Sequence, residues 1–231
     1  MQILGFQKTT LLDYPGKVAA TIFTGGCNFR CPFCQNGDLI LRPDCIPPIS
    51  EEEILSVLKK RRGILTGVCI TGGEPTLQAD LPDFISRVRA LGYSVKLDTN
   101  GYRPDVLAEL ISSGLLSMIA MDIKTSLRHY PLVAGFESMD VSNIEKSVFL
   151  IRNSKIPYEF RTTVVKELHC LQDFEEIGQW ISGAESFFLQ SFEDSDGVIC
   201  PGYHSCSKEE LTSYLSTVKK YIPNAALRGV D

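Results

Sequence analysis

Apolar, β-branched runs alternate with helix-patterned runs along almost the whole chain, and no other feature narrows its fold as much. Strand-like segments fall at 3–6, 18–24 (VAATIFT), 67–71 (GVCIT), 93–99 (YSVKLDT), 115–123 (LLSMIAMDI), 158–165 (YEFRTTVV) and 186–190 (SFFLQ), with a last short one at 225–227. Helical stretches fall between them at 51–61, 81–91, 104–113, 142–153, 172–182 and 208–221. Ser50 with Glu53, and Ser142 with Glu145, have the spacing of capping boxes, and Pro104 suits a first helical turn. Gly63, Gly92 and Gly114 stand where helices should stop. Residues 125–140 read as an irregular loop.

Strict alternation with at least six strands implies an α/β fold, parallel strands with helices outside. The count falls short of eight units, so a partial, TIM-like (β/α)6 barrel is expected rather than a closed one. No linker or composition shift divides the chain. Residues 1–231 therefore read as one domain, with 1–17 as an N-terminal strand and turn and 191–206 as a cysteine-containing loop. Chemistry in such folds sits at the carboxyl ends of the strands.

Directly after the second strand comes Gly25-Gly26-Cys27-Asn28-Phe29-Arg30-Cys31-Pro32-Phe33-Cys34, a CxxxCxxC loop. Three clustered thiols suit an iron–sulfur cluster, which takes Cys thiolates as ligands. With three thiolates and no evident fourth, one iron keeps an open position. Two plainer readings stand beside it: a structural zinc with Cys45 as fourth ligand, or buried reduced cysteines with no ligand role. Eight cysteines in a chain with no signal-like N-terminus and no membrane-length apolar run favour metal or redox chemistry in the cytoplasm. The net charge is −5 and Lys59-Lys60-Arg61-Arg62 is the sole basic run, at a helix end. Neither nucleic acid nor membrane is an expected partner.

Three further strands end in groups that bind ligands or simply make turns. Gly72-Gly73-Glu74-Pro75 offers exposed backbone and a carboxylate, suited to an ammonium group, or is a tight turn. Asp98-Thr99-Asn100-Gly101 closes the next strand, and Asp122 and Lys124 project to one face after the one beyond. Arg161, mid-strand, would meet a ligand or a cross-strand carboxylate. Gln190 could face the same mouth. Cys200 and Cys206 flank His204, a poor ligand set better read as a loop with free thiols. Cys69 reads as core, Cys170 as core or a loop thiol and Trp180 as packing, while the isolated His129 and His169 read as solvent-facing or hydrogen-bonded.

In this order, the cysteine loop with Phe33 before its last Cys, GGEP, DTNG and D-x-K resemble the radical S-adenosylmethionine (SAM) superfamily. Leu12-Asp13-Tyr14-Pro15-Gly16-Lys17 and Arg161-Thr162-Thr163-Val164-Val165 narrow the resemblance to activating proteins of glycyl radical enzymes, particularly those of anaerobic ribonucleoside-triphosphate reductase. The resemblance implies a partial barrel of the radical SAM type and one [4Fe–4S] cluster on Cys27, Cys31 and Cys34, with SAM chelating the fourth iron. It implies Phe33 beside the adenine, Gly72, Gly73 and Glu74 at the methionine ammonium, and Thr99, Asn100, Asp122, Lys124, Arg161 and Gln190 around the cofactor. Asp98, Asp122 and Thr99, with the carbonyl of Ala120, match a monovalent-cation site.

The implied reaction is reductive cleavage of SAM to methionine and a 5′-deoxyadenosyl radical. That radical abstracts hydrogen from a glycine Cα of a protein partner, with flavodoxin or ferredoxin as electron donor. The ferredoxin-like insert common in such activators is absent from the spacing between Cys34 and Cys69. Two alternatives remain at this point: a radical SAM enzyme acting on a small molecule or peptide, and a zinc-stabilised binding module.

Overall fold

A computed structural model describes residues 1–230. Among them, eight strands form one sheet in chain order: β1 (Ile3–Thr10), β2 (Ala19–Thr24), β3 (Gly67–Gly72), β4 (Ser94–Thr99), β5 (Met118–Asp122), β6 (Tyr158–Val164), β7 (Phe187–Ser191) and β8 (Ala226–Arg228). β2 to β8 run parallel, and β1 is antiparallel to β2. The two edge strands do not pair with each other among the described residues, so the barrel stays open. No helix there is long and apolar enough to cross a membrane.

Helices α1 (Gly37–Leu41), α2 (Glu51–Lys60), α3 (Leu81–Ala90), α4 (Pro104–Ser112), α5 (Tyr130–Val133), α6 (Ser142–Arg152), α7 (Leu171–Trp180) and α8 (Lys208–Val218) fill the connections. The apolar period explains their docking. In α3, Leu81, Phe84, Ile85 and Val88 recur at helical spacing and are wholly buried. Each such side chain contributes roughly 1.5–3 kcal/mol by leaving water. They pack on the outward residues of the strands, such as Val68, Ile70, Val95, Leu97, Ile119 and Met121.

The inward residues are of another kind. Alternation along each strand turns Thr21, Cys69, Lys96, Asp98, Asp122, Glu159 and Arg161 into the lumen. Parallel strands covered on both faces are ordinarily apolar throughout. Here the lumen is charged, and that sets up the site.

Several sequence expectations shift. The first strand extends to Thr10 because Gln7 and Thr10 pair with Thr21 and Ala19 of β2, across an irregularity at exposed Lys8 and Thr9. It is antiparallel because a short hairpin, not a helix, joins it to β2. The Ser142 box does not form: Val141 precedes the first turn of α6, and Asp140 Oδ1 accepts the Ser142 N–H at 3.0 Å. The carboxylate is the stronger acceptor. At α2, Ser50 Oγ does accept the Glu53 N–H. Within 125–140, α5 places Tyr130 wholly inside the protein.

Candidate functional site

A cavity of about 110 Å³ lies at the carboxyl ends of the parallel strands. It is lined by Cys27 and Cys34 of the cysteine loop, Gly72, Gly73 and Glu74 after β3, Asp98, Thr99 and Asn100 at β4, and Asp122 and Lys124 at β5. Four segments separated by tens of residues thus converge on one space.

Close backbone contact seats the cysteine loop on the next strand. Glu74 N–H donates to Gly26 O at 2.8 Å, and a Cβ on Gly73 would stand 1.8 Å from that same oxygen. Only glycine fits there. Gly72 is also held at φ +112°, in a region L side chains rarely adopt. Asn36 Nδ2 reaches back to Gly72 O at 2.7 Å. The two glycines are therefore needed for strand-to-loop packing as well as for any ligand.

Glu74 is wholly buried. Its Oε1 accepts from Thr76 N and Oγ1 and from Thr99 Oγ1, and its Oε2 from Asn100 N at 2.7 Å. Burial raises its pKa, with these hydrogen bonds opposing. Oε2 takes one bond and keeps a free lone pair toward the cavity, where a ligand ammonium would satisfy it.

Burial pushes the Cys27 thiol up to about 12, with the Glu74 charge adding to it, and the Cys31 thiol up to about 11 despite Lys124 nearby. Cys34 is raised for the same reason. Three thiols in a dry pocket are poor nucleophiles but good ligands once a metal displaces their protons. Phe29 N–H already points at Cys27 Sγ, at 3.3 Å. Asn100 Nδ2 lies 3.7 Å from the same sulfur and 2.8 Å from Asn28 Oδ1. Asn28 Nδ2 is buried without a partner, a donor that a bound group would satisfy. The donor set and the orphaned amide fit a cluster with SAM beside it.

Beneath the cavity, Arg161 donates from Nε to Asp122 Oδ1 at 2.9 Å and from Nη1 to Asp98 Oδ2 at 3.2 Å. Lys124 Nζ lies 3.2 Å from Asp122 Oδ2, and buried Lys96 bonds Asp98 Oδ1. Burial alone would raise the Asp122 pKa, but the Arg161 and Lys124 charges outweigh it and hold the carboxyl well below the usual carboxylate range. Asp98 and Asp122, the carboxylates expected at a monovalent-cation site, are both paired with protein cations. The cross-strand ion pair of Arg161 forms, and its guanidinium is not part of the cavity wall.

Phe33 and Gln190 also lie off the cavity wall. Phe33 is packed into the core beneath the loop, and Gln190 sits in the lumen in register with Thr163 and Arg228. Asn36, Ile40, Thr71 and Phe29 line the cavity and escaped the sequence reading. The spacing Cys34-x-Asn36 was a legible signal for the first of them. His169, off the cavity wall, is hydrogen-bonded: its Nε2 lies 2.8 Å from Lys124 O while Nδ1 accepts Val165 N–H, which steadies the segment carrying Lys124. Burial lowers the His169 pKa. The segment 191–206 also clasps the cysteine loop, through Gly37 N to Gly197 O, Ile199 N to Cys34 O and Cys200 N to Pro32 O.

Cys45 is exposed, Cys206 is buried, and His204 is engaged by Glu167 at 2.7 Å. Among the described residues, no group of three or more His, Cys, Asp or Glu is arranged around a single metal ion.

The profile of the Radical SAM superfamily matches residues 21–181. A protein of Methanocaldococcus jannaschii, provisionally named a glycyl-radical enzyme activating enzyme, is 30% identical over 99% of this chain and 96% of its own. A domain of pyruvate-formate lyase-activating enzyme from Bacteroides vulgatus superposes with a TM-score of 0.57 at 18% identity, covering 71% of this chain and 99% of that one. Streptococcus suis SuiB bound to its precursor peptide SuiA superposes at 0.68 and 15% identity, over 90% of this chain and 48% of that one. At those identities the two structures share the fold.

Proposed function

Because the chain belongs to the radical SAM superfamily, which uses a [4Fe–4S] cluster and SAM, we propose that it is the activating enzyme of a glycyl radical protein, with an anaerobic ribonucleotide reductase as partner. The observation that carries this reading is the convergence of Cys27, Cys34, Glu74, Asn100, Asp122 and Lys124 on one strand-end cavity. Full-length likeness to the methanogen protein supports a protein substrate rather than a small molecule.

Cys27, Cys31 and Cys34 would hold the cluster. Gly72, Gly73 and the open Oε2 of Glu74 would take the methionine ammonium of SAM, and Lys124 its carboxylate. Bound together, cluster and SAM supply one-electron reductive cleavage of SAM and, through it, hydrogen abstraction from a glycine Cα. The electron comes from an external donor such as flavodoxin or ferredoxin.

The chain's own part is positioning and exclusion of water. Asn100 and Phe29 direct N–H groups at Cys27 Sγ. Phe29 packs edge-on with Tyr102 and Tyr130 at 5.7 and 6.5 Å between ring centres, an apolar wall behind the loop. Phe33 and Gln190, off the cavity wall, would act by supporting it.

The test is anaerobic reconstitution with iron and sulfide, then dithionite reduction with SAM, reading the cluster EPR signal and 5′-deoxyadenosine. Addition of a candidate reductase should then yield a glycyl radical EPR doublet on the partner. Deoxyadenosine without that doublet on any glycyl radical protein would point to a small-molecule or peptide substrate. A colourless zinc protein with no SAM cleavage would overturn the reading entirely.

A further inference from the structure

We infer that Lys96 and Arg161 supply, from within the chain, the positive charge that a monovalent cation would bring to Asp98 and Asp122, so that SAM binding here is independent of such ions. The inference rests on SAM occupying the strand-end cavity and not on the identity of the protein partner.

Each of the four carboxylate oxygens already faces a protein cation. Asp98 Oδ1 bonds Lys96 Nζ and Asp98 Oδ2 bonds Arg161 Nη1. Asp122 Oδ1 bonds Arg161 Nε, and Asp122 Oδ2 bonds Lys124 Nζ. The hydroxyl of Thr99, a further expected ligand, donates to Glu74 Oε1 at 2.7 Å and accepts Gly101 N–H at 3.1 Å. An incoming ion would have to share every carboxylate oxygen with an ammonium or guanidinium already bonded there.

Lys96 decides the matter. It is 1% exposed, on the lumen face of β4 two residues before Asp98, and its other polar neighbour is Cys69 Sγ at 3.9 Å. A buried ammonium is tolerated only against a fixed counter-charge. Lys96 therefore holds Asp98 as firmly as Asp98 holds it. A metal ion beside a buried ammonium would face like-charge repulsion in a low dielectric.

The charge count agrees. Lys96, Lys124 and Arg161 meet two carboxylates, which leaves one positive charge in excess. Glu159, 3.8 Å from Arg161, is matched by Arg228, whose Nη1 and Nη2 each lie 3.1 Å from it. Asp13, bonded to the Thr21 hydroxyl, and buried Glu74, bonded to Thr76, Thr99 and Asn100, lie outside that count and take neutral donors. Within the Asp98–Asp122 cluster the positive excess lies under the cavity wall formed by Asp98, Asp122 and Lys124, where a carboxylate of SAM would meet it.

Two measurements on the reconstituted protein test this. SAM affinity is measured in potassium, sodium, lithium and choline chloride at equal ionic strength, and thallous-ion binding is followed by thallium NMR without SAM. Wild type should keep its affinity within about twofold across the four salts and bind no stoichiometric thallous ion. Lys96→Met should weaken SAM binding about fivefold or more in choline, recover it in potassium or sodium, and gain a thallous-ion site.

Wild type losing SAM affinity in choline, or binding one thallous ion, would overturn the inference. Should Lys96→Met fail to fold, those wild-type results decide alone. Absence of SAM binding in every salt would remove the premise and the inference together. A missing glycyl radical on the partner would affect neither measurement.

Discussion

Asn36 Nδ2 donates to the carbonyl oxygen of Gly72 at 2.7 Å, joining the far end of the cysteine loop to the glycine pair that ends β3. The contact spans two segments that each read as a turn in isolation. It makes the loop and the strand end one wall of the cavity.

Asn36→Ala leaves that part-buried carbonyl unsatisfied, at a cost of about 1–3 kcal/mol. In a chain of this size the melting midpoint should fall by about 2–12 °C, and SAM affinity should drop while iron content holds. Calorimetry and equilibrium dialysis read the two effects, and an unchanged midpoint would deny the bond its role.

Gly73→Ala is expected to be far more severe. The added Cβ meets backbone, Gly26 O, which has nowhere to move while Glu74 N–H is bonded to it. Iron incorporated on reconstitution should fall by at least half, with destabilisation of roughly 3 kcal/mol or more. Wild-type iron content and stability in this variant would show that the loop is not seated as described.

Arg161→Met removes a partner from both Asp98 and Asp122 and should cost about 3–5 kcal/mol at pH 7. The Asp122 carboxyl is held below its unfolded value, near 3.9, so its stabilisation is present above that pH and lost as pH falls toward the folded value. The gap between variant and wild type should therefore narrow below about pH 4. Urea unfolding at pH 7, 5 and 3 measures it, and a gap independent of pH would place the cost in packing rather than charge.

In the cluster-free protein, iodoacetamide at neutral pH should label exposed Cys45, Cys170 and Cys200 first. Burial holds Cys27 and Cys31 protonated, with pKa values pushed up to about 12 and 11. Because metal binding must release those protons, cluster assembly should quicken from pH 7 to 9. Peptide mapping and absorbance at the iron–sulfur charge-transfer band give the two readings. Preferential labelling of Cys27 would contradict the buried placement.

Much of the site was legible because its parts are local. A strand followed by glycines, a carboxylate or a cysteine loop announces itself in a few residues, and the β–α alternation puts all such ends on one side of the sheet. Phe33, Arg161 and Gln190 were legible as unusual residues, but their position relative to the cavity was not. The path of the loop buries Phe33, and the pleat turns Arg161 and Gln190 into the lumen below the mouth. The clasp of 191–206 on the cysteine loop had no sequence signal, since it is made of backbone groups.

The sequence by itself determined the alternating α/β architecture, the three-thiol loop and the set of strand ends, because hydrophobic period and turn chemistry act over a few residues. Only the tertiary structure decided what the lumen charges do. Parallel register sets Asp122 beside Arg161 and Asp98 beside Ala120, so one guanidinium reaches both carboxylates across three strands while Lys96 rises beneath Asp98. Charge pairing at that range depends on distances among residues up to 65 positions apart in the chain (161 − 96), which no local pattern records.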